Sequence, residues 1–298
     1  MGIHAALAVH PGSGKGAAAR IAGSVAARLR EGVDRLDLHA ANTVEQSHAL
    51  MRQSRADGLD LLVVLGGDGA AHQAVQFCAG TGIALGVVPC GTGNDLARAL
   101  GAPDRPLEAI DAVLDALREG SSRRIDLGRV ESAQPGERWF STVLCAGFDA
   151  KVNERANSLR WPTGPRRYDV AILAELAALR PRPLVVHTET DRVEMDATLV
   201  AVGNTPFYGG GVPICPSAEP GDGLFDVTVV GSAPRRELLR ILPSLRSGKH
   251  AGHRAVRTLR ARSVELAGND WPAFADGEPL GSLPVSVRCV PGALNVLG

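Results

Sequence analysis

Two stretches leave this chain little freedom in how it folds: Leu59–Gly69, LDLLVVLGGDG, and Ile83–Arg98, IALGVVPCGTGNDLAR. Each is a short run rich in Val and Leu, stopped by glycines and a carboxylate and followed by a helical pattern. An apolar run bounded by Gly reads as a strand buried on both faces, as in a parallel sheet. With room for one helix between them, the two runs form a βαβ unit. Ligands of open α/β sheets bind at the carboxyl ends of the strands, where both glycine turns fall. Gly66, Gly67 and Gly69 let the backbone approach a ligand closely, and Asp68 stands at the mouth of the sheet. The pattern is that of a phosphate or nucleotide site.

The rest of the first half extends this unit. His4–Val9 reads as a strand, His10-Pro11-Gly12-Ser13-Gly14-Lys15-Gly16 as the turn after it, and Ile21, Val25 and Leu29 as one face of a helix. The turn is not a Walker A loop, because Val9 and Gly16 stand where Gly and Ser or Thr are required. Gly12, Gly14 and Ala17 do fit G-x-G-x-x-A. That keeps open a nicotinamide-binding oxidoreductase with Asp34 or Asp37 on the ribose, beside a plain strand-to-helix turn. Val44–Arg55 reads as a second helix, a third starts at Ala70, and Ile83–Val88 is the next strand. Thr92 or Asn94 is placed to cap the helix Leu96–Leu100, whose first amides attract anions. The helix dipole alone would explain Asp95, but two Gly-Asp turns at neighbouring strand ends favour a site. Pro106–Glu119 follows as a helix with Leu107, Ile110, Leu114 and Leu117 on one face, and then Arg123–Leu127.

After Gly128 the texture changes. Strand-like segments dominate: Trp139–Cys145, Leu184–Thr190, Ala197–Val202, Leu224–Val230, Ser263–Leu266, Val285–Val290 and Leu294–Leu297. Only two helices interrupt them, near Tyr168–Leu179 and Pro234–Leu245. The expected fold class is therefore α/β plus all-β, with an α/β nucleotide-binding domain over 1–128 and a β domain over 129–289. Lys and Arg together equal Asp and Glu at 32 each, so no global charge draws the chain to nucleic acid. Five cysteines without a CxxC pair read as buried thiols of a reducing cytoplasm, not as a disulfide frame or zinc site. No apolar segment approaches a membrane span. A cytoplasmic protein, at most peripherally attached to membrane, is expected.

Five motifs occur in order: Gly66-Gly67-Asp68-Gly69, Pro89-Cys90-Gly91-Thr92-Gly93-Asn94-Asp95, Gly209-Gly210-Gly211, Asp222-Gly223-Leu224 and Asp276-Gly277-Glu278. Over nearly its whole length the chain resembles the soluble bacterial diacylglycerol kinases and lipid kinases, related to sphingosine and ceramide kinases and distantly to NAD kinases. The resemblance implies a β-sandwich second domain and a last strand, within 290–298, that returns to the first domain. It implies ATP lined by His10, Pro11, Gly12, Ser13, Gly14, Gly66, Gly67, Asp68, Gly69, Ala70, Ala71 and His72. Gly91, Thr92 and Asn94 would lie near the phosphates, with Thr43 a further candidate. Asp68, Asp95 and Asp126 would hold the catalytic Mg²⁺, partly through water, and Asp276 and Glu278 would supply the base. Asp222, with the carbonyls of Glu219 and Leu224, matches the family's structural Mg²⁺ site. Read alone, Asp276-Gly277 is a hairpin turn; read with the other motifs, it belongs to catalysis. Phosphoryl transfer needs charge neutralisation and an aligned hydroxyl more than covalent help, which suits this residue set. Two departures stand out: Ala70 and Ala71 replace the usual Thr and its neighbour, and His72-Gln73 replaces Asn-Glu.

The implied reaction is ATP- and Mg²⁺-dependent phosphorylation of a lipid hydroxyl, with diacylglycerol going to phosphatidic acid. The alternatives are an NAD kinase-like enzyme or a non-catalytic nucleotide- or lipid-binding protein of the same fold. A membrane lipid substrate calls for a basic surface. Arg235, Arg236, Arg240, Arg246, Lys249, Arg254, Arg257, Arg260 and Arg262 oppose a single acid, Glu237, and a second candidate runs from Lys151 to Arg182 around Arg160-Trp161 and Arg166-Arg167-Tyr168. Solvated surface faces are the plainer explanation of both. The reading involves no nucleic acid and leaves room for a homodimer.

Overall fold

The computed structural model describes residues 2–10, 12–41, 43–131, 138–147, 181–234, 237 and 244–298. The first half runs β1 (His4–Val9), α1 (Ser13–Arg30), β2 (Arg35–Ala40), α2 (Val44–Ala56), β3 (Leu61–Gly66), α3 (Asp68–Cys78), β4 (Ala84–Pro89), α4 (Asp95–Leu100) and α5 (Pro106–Glu119). The second continues with β5 (Arg123–Glu131), β6 (Arg138–Phe140), β7 (Val143–Gly147), β8 (Arg182–Thr188), β9 (Arg192–Gly203), β10 (Phe207–Tyr208) and β11 (Val212–Pro213). It ends with β12 (Phe225–Gly231), β13 (Val256–Ala261), β14 (Ser263–Ala267), β15 (Pro272–Ala275), β16 (Glu278–Ser282) and β17 (Val285–Leu297).

The parallel strands lie in the order β4-β3-β1-β2. Alternate residues of each strand supply two cores. Ala6, Leu62, Val64, Leu85 and Val87 meet α2, α3 and α4 through Met51, Ala74, Val75 and Leu96. Ala5, Leu7, Leu61, Val63, Leu65 and Val88 meet α1 and α5 through Val25, Leu29, Ile110 and Leu114. Burial on both faces is why these strands read as unbroken apolar runs. The chain reverses its direction of travel across the sheet at β1, which sits between β2 and β3. A topological switch of this kind leaves a crevice at the carboxyl ends of β1 and β3, where the His10 and Gly66 turns emerge.

The second half is antiparallel and packs around Phe140, Val200, Val202, Phe225, Val227, Trp271 and Val287, with the Phe140 and Phe225 rings stacked 5.5 Å apart. One sheet runs through both halves. Its seam is β17, antiparallel to β14 over its first part, antiparallel to β5 on either side of its bend, and parallel to β4 at Asn295–Leu297. The last strand thus pairs with β4 of the first half.

Three features depart from the sequence reading. β2 went unread because it is an edge strand whose Arg35, Asp37 and His39 break the apolar run. Its Asp37 takes hydrogen bonds from His4 Nε2 (2.8 Å) and Ser54 Oγ (2.7 Å), and Asp34 accepts from the Ile3 amide (2.6 Å). Asp37 is thus engaged within the sheet, and Asp34 stands just before β2, at the end of the parallel strands opposite the His10 and Gly66 turns, so neither is placed for a ribose at those turns. The expected strand Trp139–Cys145 is two strands, β6 and β7, parted at Ser141-Thr142. The two expected segments 285–290 and 294–297 are one strand, β17, bent where its register shifts between Val290 and Leu294. The helix near Tyr168–Leu179, the basic run from Lys151 to Arg180 and most of the Pro234–Leu245 helix lie outside the described residues, as do Arg235, Arg236 and Arg240.

Candidate active site

One side of the crevice is built where two glycine turns touch. Cys90 donates its amide to Gly66 O (2.7 Å), and the backbones of Gly67 and Gly91 meet so closely that a Cβ on Gly91 would lie 2.5 Å from Gly67 Cα. Only glycine fits at Gly91, and a Cβ on Gly67, 3.1 Å from Gly91 Cα, would press the two turns apart. The His10 turn closes over them, with Ser13 Oγ 3.4 Å from His10 Nδ1. Gly14, Lys15 and Gly16 all take left-handed conformations, so the regular part of α1 begins only after them. A Cβ on Gly14 would sit 2.5 Å from Cys90 O, which binds this turn to the other two. Pro11 lies outside the described residues. Gly69 and Thr92 are exposed at the rim, while Ala71 is buried. Ala70, in the first turn of α3, is partly buried against the core and lies against Gly66. Thr43 instead caps α2, its hydroxyl accepting from the Gln46 amide (3.2 Å).

Three aspartates expected around a metal act first as staples. Asp68 accepts the amides of Asn94 (2.9 Å) and Asp95 (2.6 Å), capping α4 from the neighbouring strand end. Asn94 holds the N-cap position of α4, but its side chain makes no capping bond. Its side chain closes the turn onto Gly91, accepting from Gly91 N (2.9 Å) and donating to Gly91 O (3.1 Å). Asp95 accepts from Gly210 N (2.9 Å) and Gly211 N (2.6 Å), reaching across to the β half. Those glycines have φ of 86° and 94°, which explains the triple-glycine motif. Asp126 accepts from Gly223 N (2.7 Å) and from Gly292 N (2.8 Å) at the bend in β17. Burial pushes the Asp95 carboxyl above its usual range, and the Asp68 charge adds to this against the two amides. Among the described residues no three acidic, His or Cys side chains converge to a directly ligated metal site.

Asp276-Gly277 is the hairpin turn between β15 and β16, with φ of 51° and 85° as a tight two-residue hairpin requires. It is also more than a turn. Asp276 Oδ1 accepts from the Thr142 amide (2.8 Å) and hydroxyl (2.6 Å), and Oδ2 from the Ser141 amide (2.9 Å) and hydroxyl (3.2 Å). His72 Nδ1 lies 3.1 Å from the same Oδ2. This is why the strand breaks at Ser141-Thr142: the two amides turn to a carboxylate instead of a neighbouring strand. Burial would raise Asp276, but His72 and the Thr142 and Ser141 donors override it and hold the carboxyl below its usual range. Glu278, two residues on, is exposed. Ser141, Thr142 and Gln76 escaped sequence reading. A Ser-Thr pair inside an apolar strand was the available signal. Gln73, the other departure in α3, pairs with His48 of α2 (2.7 Å).

Asp222 Oδ1 accepts the Leu224 amide (2.9 Å), while Oδ2 pairs with Arg260, whose Nε also lies 3.4 Å from Asp226. Asp222 thus carries an amide on one carboxylate oxygen and a guanidinium on the other, while the Glu219 carbonyl accepts from Gly221 N (2.8 Å). The Asp68–Asp95 pair does fit a hydrated Mg²⁺. Each oxygen gives one lone pair to an amide and keeps another, the donors are hard, and Asp95 carries an upward shift that a cation would relieve.

The fold and site thus define a two-part phosphate-handling enzyme, and comparison with known proteins narrows the class. Residues 4–130 match the diacylglycerol kinase catalytic domain, and residues 142–298 match the YegS C-terminal NAD kinase beta sandwich-like domain. A diacylglycerol kinase of Mycobacterium tuberculosis is 43% identical over 97% of this chain and 93% of its own length. One from Staphylococcus saprophyticus is 27% identical over 94% and 90%. A crystal structure of a diacylglycerol kinase from Bacillus anthracis superposes with a TM-score of 0.73 at 19% identity, covering 99% of this chain and 97% of that one. The chain belongs to the diacylglycerol kinase and lipid kinase family, and with it to the kinases. Among the described residues no helix is long and apolar enough to cross a membrane.

Proposed function

We propose that this enzyme transfers the γ-phosphate of ATP to a primary hydroxyl of a membrane lipid, with diacylglycerol the favoured acceptor and Mg²⁺ the metal. The observation that carries the reading is that α3 begins at Asp68, in the phosphate turn, and one turn later meets the hairpin that bears Glu278. A metal carboxylate and a hydroxyl base then flank one crevice, as in-line phosphoryl transfer requires. The turns at His10–Gly14, Gly66–His72 and Gly91–Asn94 hold the triphosphate by backbone amides and the N-terminus of α3, the first amides of α4 being already taken by Asp68. Bound Mg²⁺, held by Asp68 and Asp95 largely through water, would neutralise charge on the phosphates, and Asp126 would act from further off by fixing the Gly223 and Gly292 loops. Of the pair left open by sequence, Glu278 is the base. Asp276 has both oxygens engaged and a depressed proton affinity, so it serves as the mount.

The chain divides near Gly128 in this reading, with a lipid-binding domain over 129–289 and the segment 290–298 completing the nucleotide domain. The pairing of β17 with β4 supports that division. Docking on anionic membrane draws on fewer charges than the sequence offered: Arg254 pairs with Glu237 (2.9 Å) and Arg260 with Asp222. Arg246, Lys249, Arg257 and Arg262 are exposed and carry the proposal instead.

The test is phosphate transfer from ATP with Mg²⁺ to a panel of lipids in mixed micelles, with NAD as a parallel acceptor and Asp68→Asn as control. Labelled phosphatidic acid, absent in the variant, supports the reading. Label in NAD replaces it with the nucleotide kinase, and ATP binding without transfer replaces it with a binding protein.

A further inference from the structure

His72 occupies a position where the resemblance places a nucleotide contact, yet its side chain turns the other way. It is 12% exposed and its Nδ1 lies 3.1 Å from Oδ2 of Asp276, whose side chain is 5% exposed. One helical turn later on the same face, Gln76 clasps the neighbouring backbone in both directions. Its Nε2 donates to Trp139 O (2.6 Å), and its Oε1 accepts from Trp139 N (2.9 Å). Residues four apart lie on one helix face, so α3 presents two consecutive polar clasps to the β half. Gln76 fixes the strand that leads into Ser141-Thr142, and His72 fixes the carboxylate that Ser141 and Thr142 cradle. Among the described residues, His72 is the only side chain from the first half bonded to Asp276.

We infer that His72 is a positioning residue: through Asp276 it sets the hairpin carrying Glu278 against the phosphate turn that begins α3. The inference rests on the kinase reading. The geometry behind it is a short rigid path. Asp68 is the first residue of α3, and His72 is one turn on. Asp276 occupies the first position of a two-residue turn and Glu278 is the first residue after that turn. A helix and a tight hairpin bend little, so a contact joining them transmits placement. Loss of the contact leaves each half folded but lets the base wander, and transfer falls steeply with misplacement of the reacting groups. A contact to the nucleotide would behave differently, raising the KM for ATP while sparing turnover at saturation.

His72→Ala, His72→Asn and Asp276→Asn, with the double variant His72→Ala/Asp276→Asn, are compared with the wild-type protein. Asn keeps a donor near the place of Nδ1. The expected result for His72→Ala is a tenfold to hundredfold lower kcat, on the order expected of misplacement, with the KM for ATP little changed. His72→Asn should recover most of that loss. A raised KM for ATP at unchanged kcat would overturn the inference and make His72 a nucleotide contact; unchanged kinetics would overturn it outright. Thermal melts of the four proteins supply a readout independent of turnover. Non-additive shifts in the His72/Asp276 cycle support the link, and additive shifts overturn it. Should the wild-type protein transfer nothing to any lipid, the kinase reading fails and the melts alone judge the link.

Discussion

Asp95 and Asp276 are both aspartates removed from water, yet their surroundings push them in opposite directions. Asp95 receives two backbone amides and has a second carboxylate, Asp68, beside it, so burial prevails and its charge is held at a cost. Asp276 receives two amides, two hydroxyls and a histidine, and its charge is more than compensated. An anion left short of donors is prepared for a cation. One with donors in excess is a fixed mount, with nothing left to give a substrate. In the proposed reaction the contrast would separate the side of the crevice that takes a metal from the framework that carries the base.

The sharpest way to break this comparison is substitution at each end. Asp68→Asn is expected to lower kcat by about a thousandfold or more, because preorganised charge at the phosphates is the largest contribution to such a reaction. Circular dichroism checks that the fold survives. Glu278→Gln should lose roughly 10²- to 10⁴-fold in turnover with an unchanged melting temperature, since Glu278 is exposed. Asp276→Asn should do the reverse in stability, costing about 3 kcal/mol in denaturant unfolding as a buried charge network is broken. A stable, inactive Asp276→Asn variant with Glu278→Gln still active would exchange the two roles.

Acid titration sharpens the comparison further. Asp95, raised in the folded protein, costs stability in full at neutral pH, and that cost is relieved as pH falls through its raised value. Asp276 is depressed, so its contribution is intact above the ordinary carboxylate value of about 3.9 and is lost only as pH falls through its lower folded value. Melting temperature without metal should therefore rise slightly on mild acidification before it falls, and Mg²⁺ should flatten the rise. A curve unchanged by Mg²⁺ would show that Asp95 meets no cation. The smallest effect is expected from Ala70→Thr, which returns a hydroxyl to the first turn of α3. One added hydrogen bond of about 1 kcal/mol should lower the KM for ATP a few-fold in steady-state kinetics.

What could be read from the sequence follows from what each region buries. β1, β3 and β4 are covered on both faces, so their apolar runs announce themselves, and the glycine stops mark the crevice. β2 is half exposed at an edge and carried no such signal. β15 and β16 are short and interrupted by Pro, Gly and Glu, so the hairpin was visible only as Asp276-Gly277. The motifs singled out the carboxylates as a set, but the contacts that distinguish them come from partners more than a hundred residues away. Gly210 on Asp95, Gly292 on Asp126 and His72 on Asp276 are pairings no local pattern encodes.

The seam strand β17 has a consequence for how the molecule is made. On the side away from β3, β4 pairs only with Asn295–Leu297. A ribosome therefore completes the Gly66 and Gly91 turns long before the strand that closes their sheet exists. Until it is synthesised, the nascent chain carries an apolar, unpaired edge, the kind of surface on which chaperones and misassembly compete. Loss of a few residues from this strand would be felt not at the tail but in the part of the enzyme translated first.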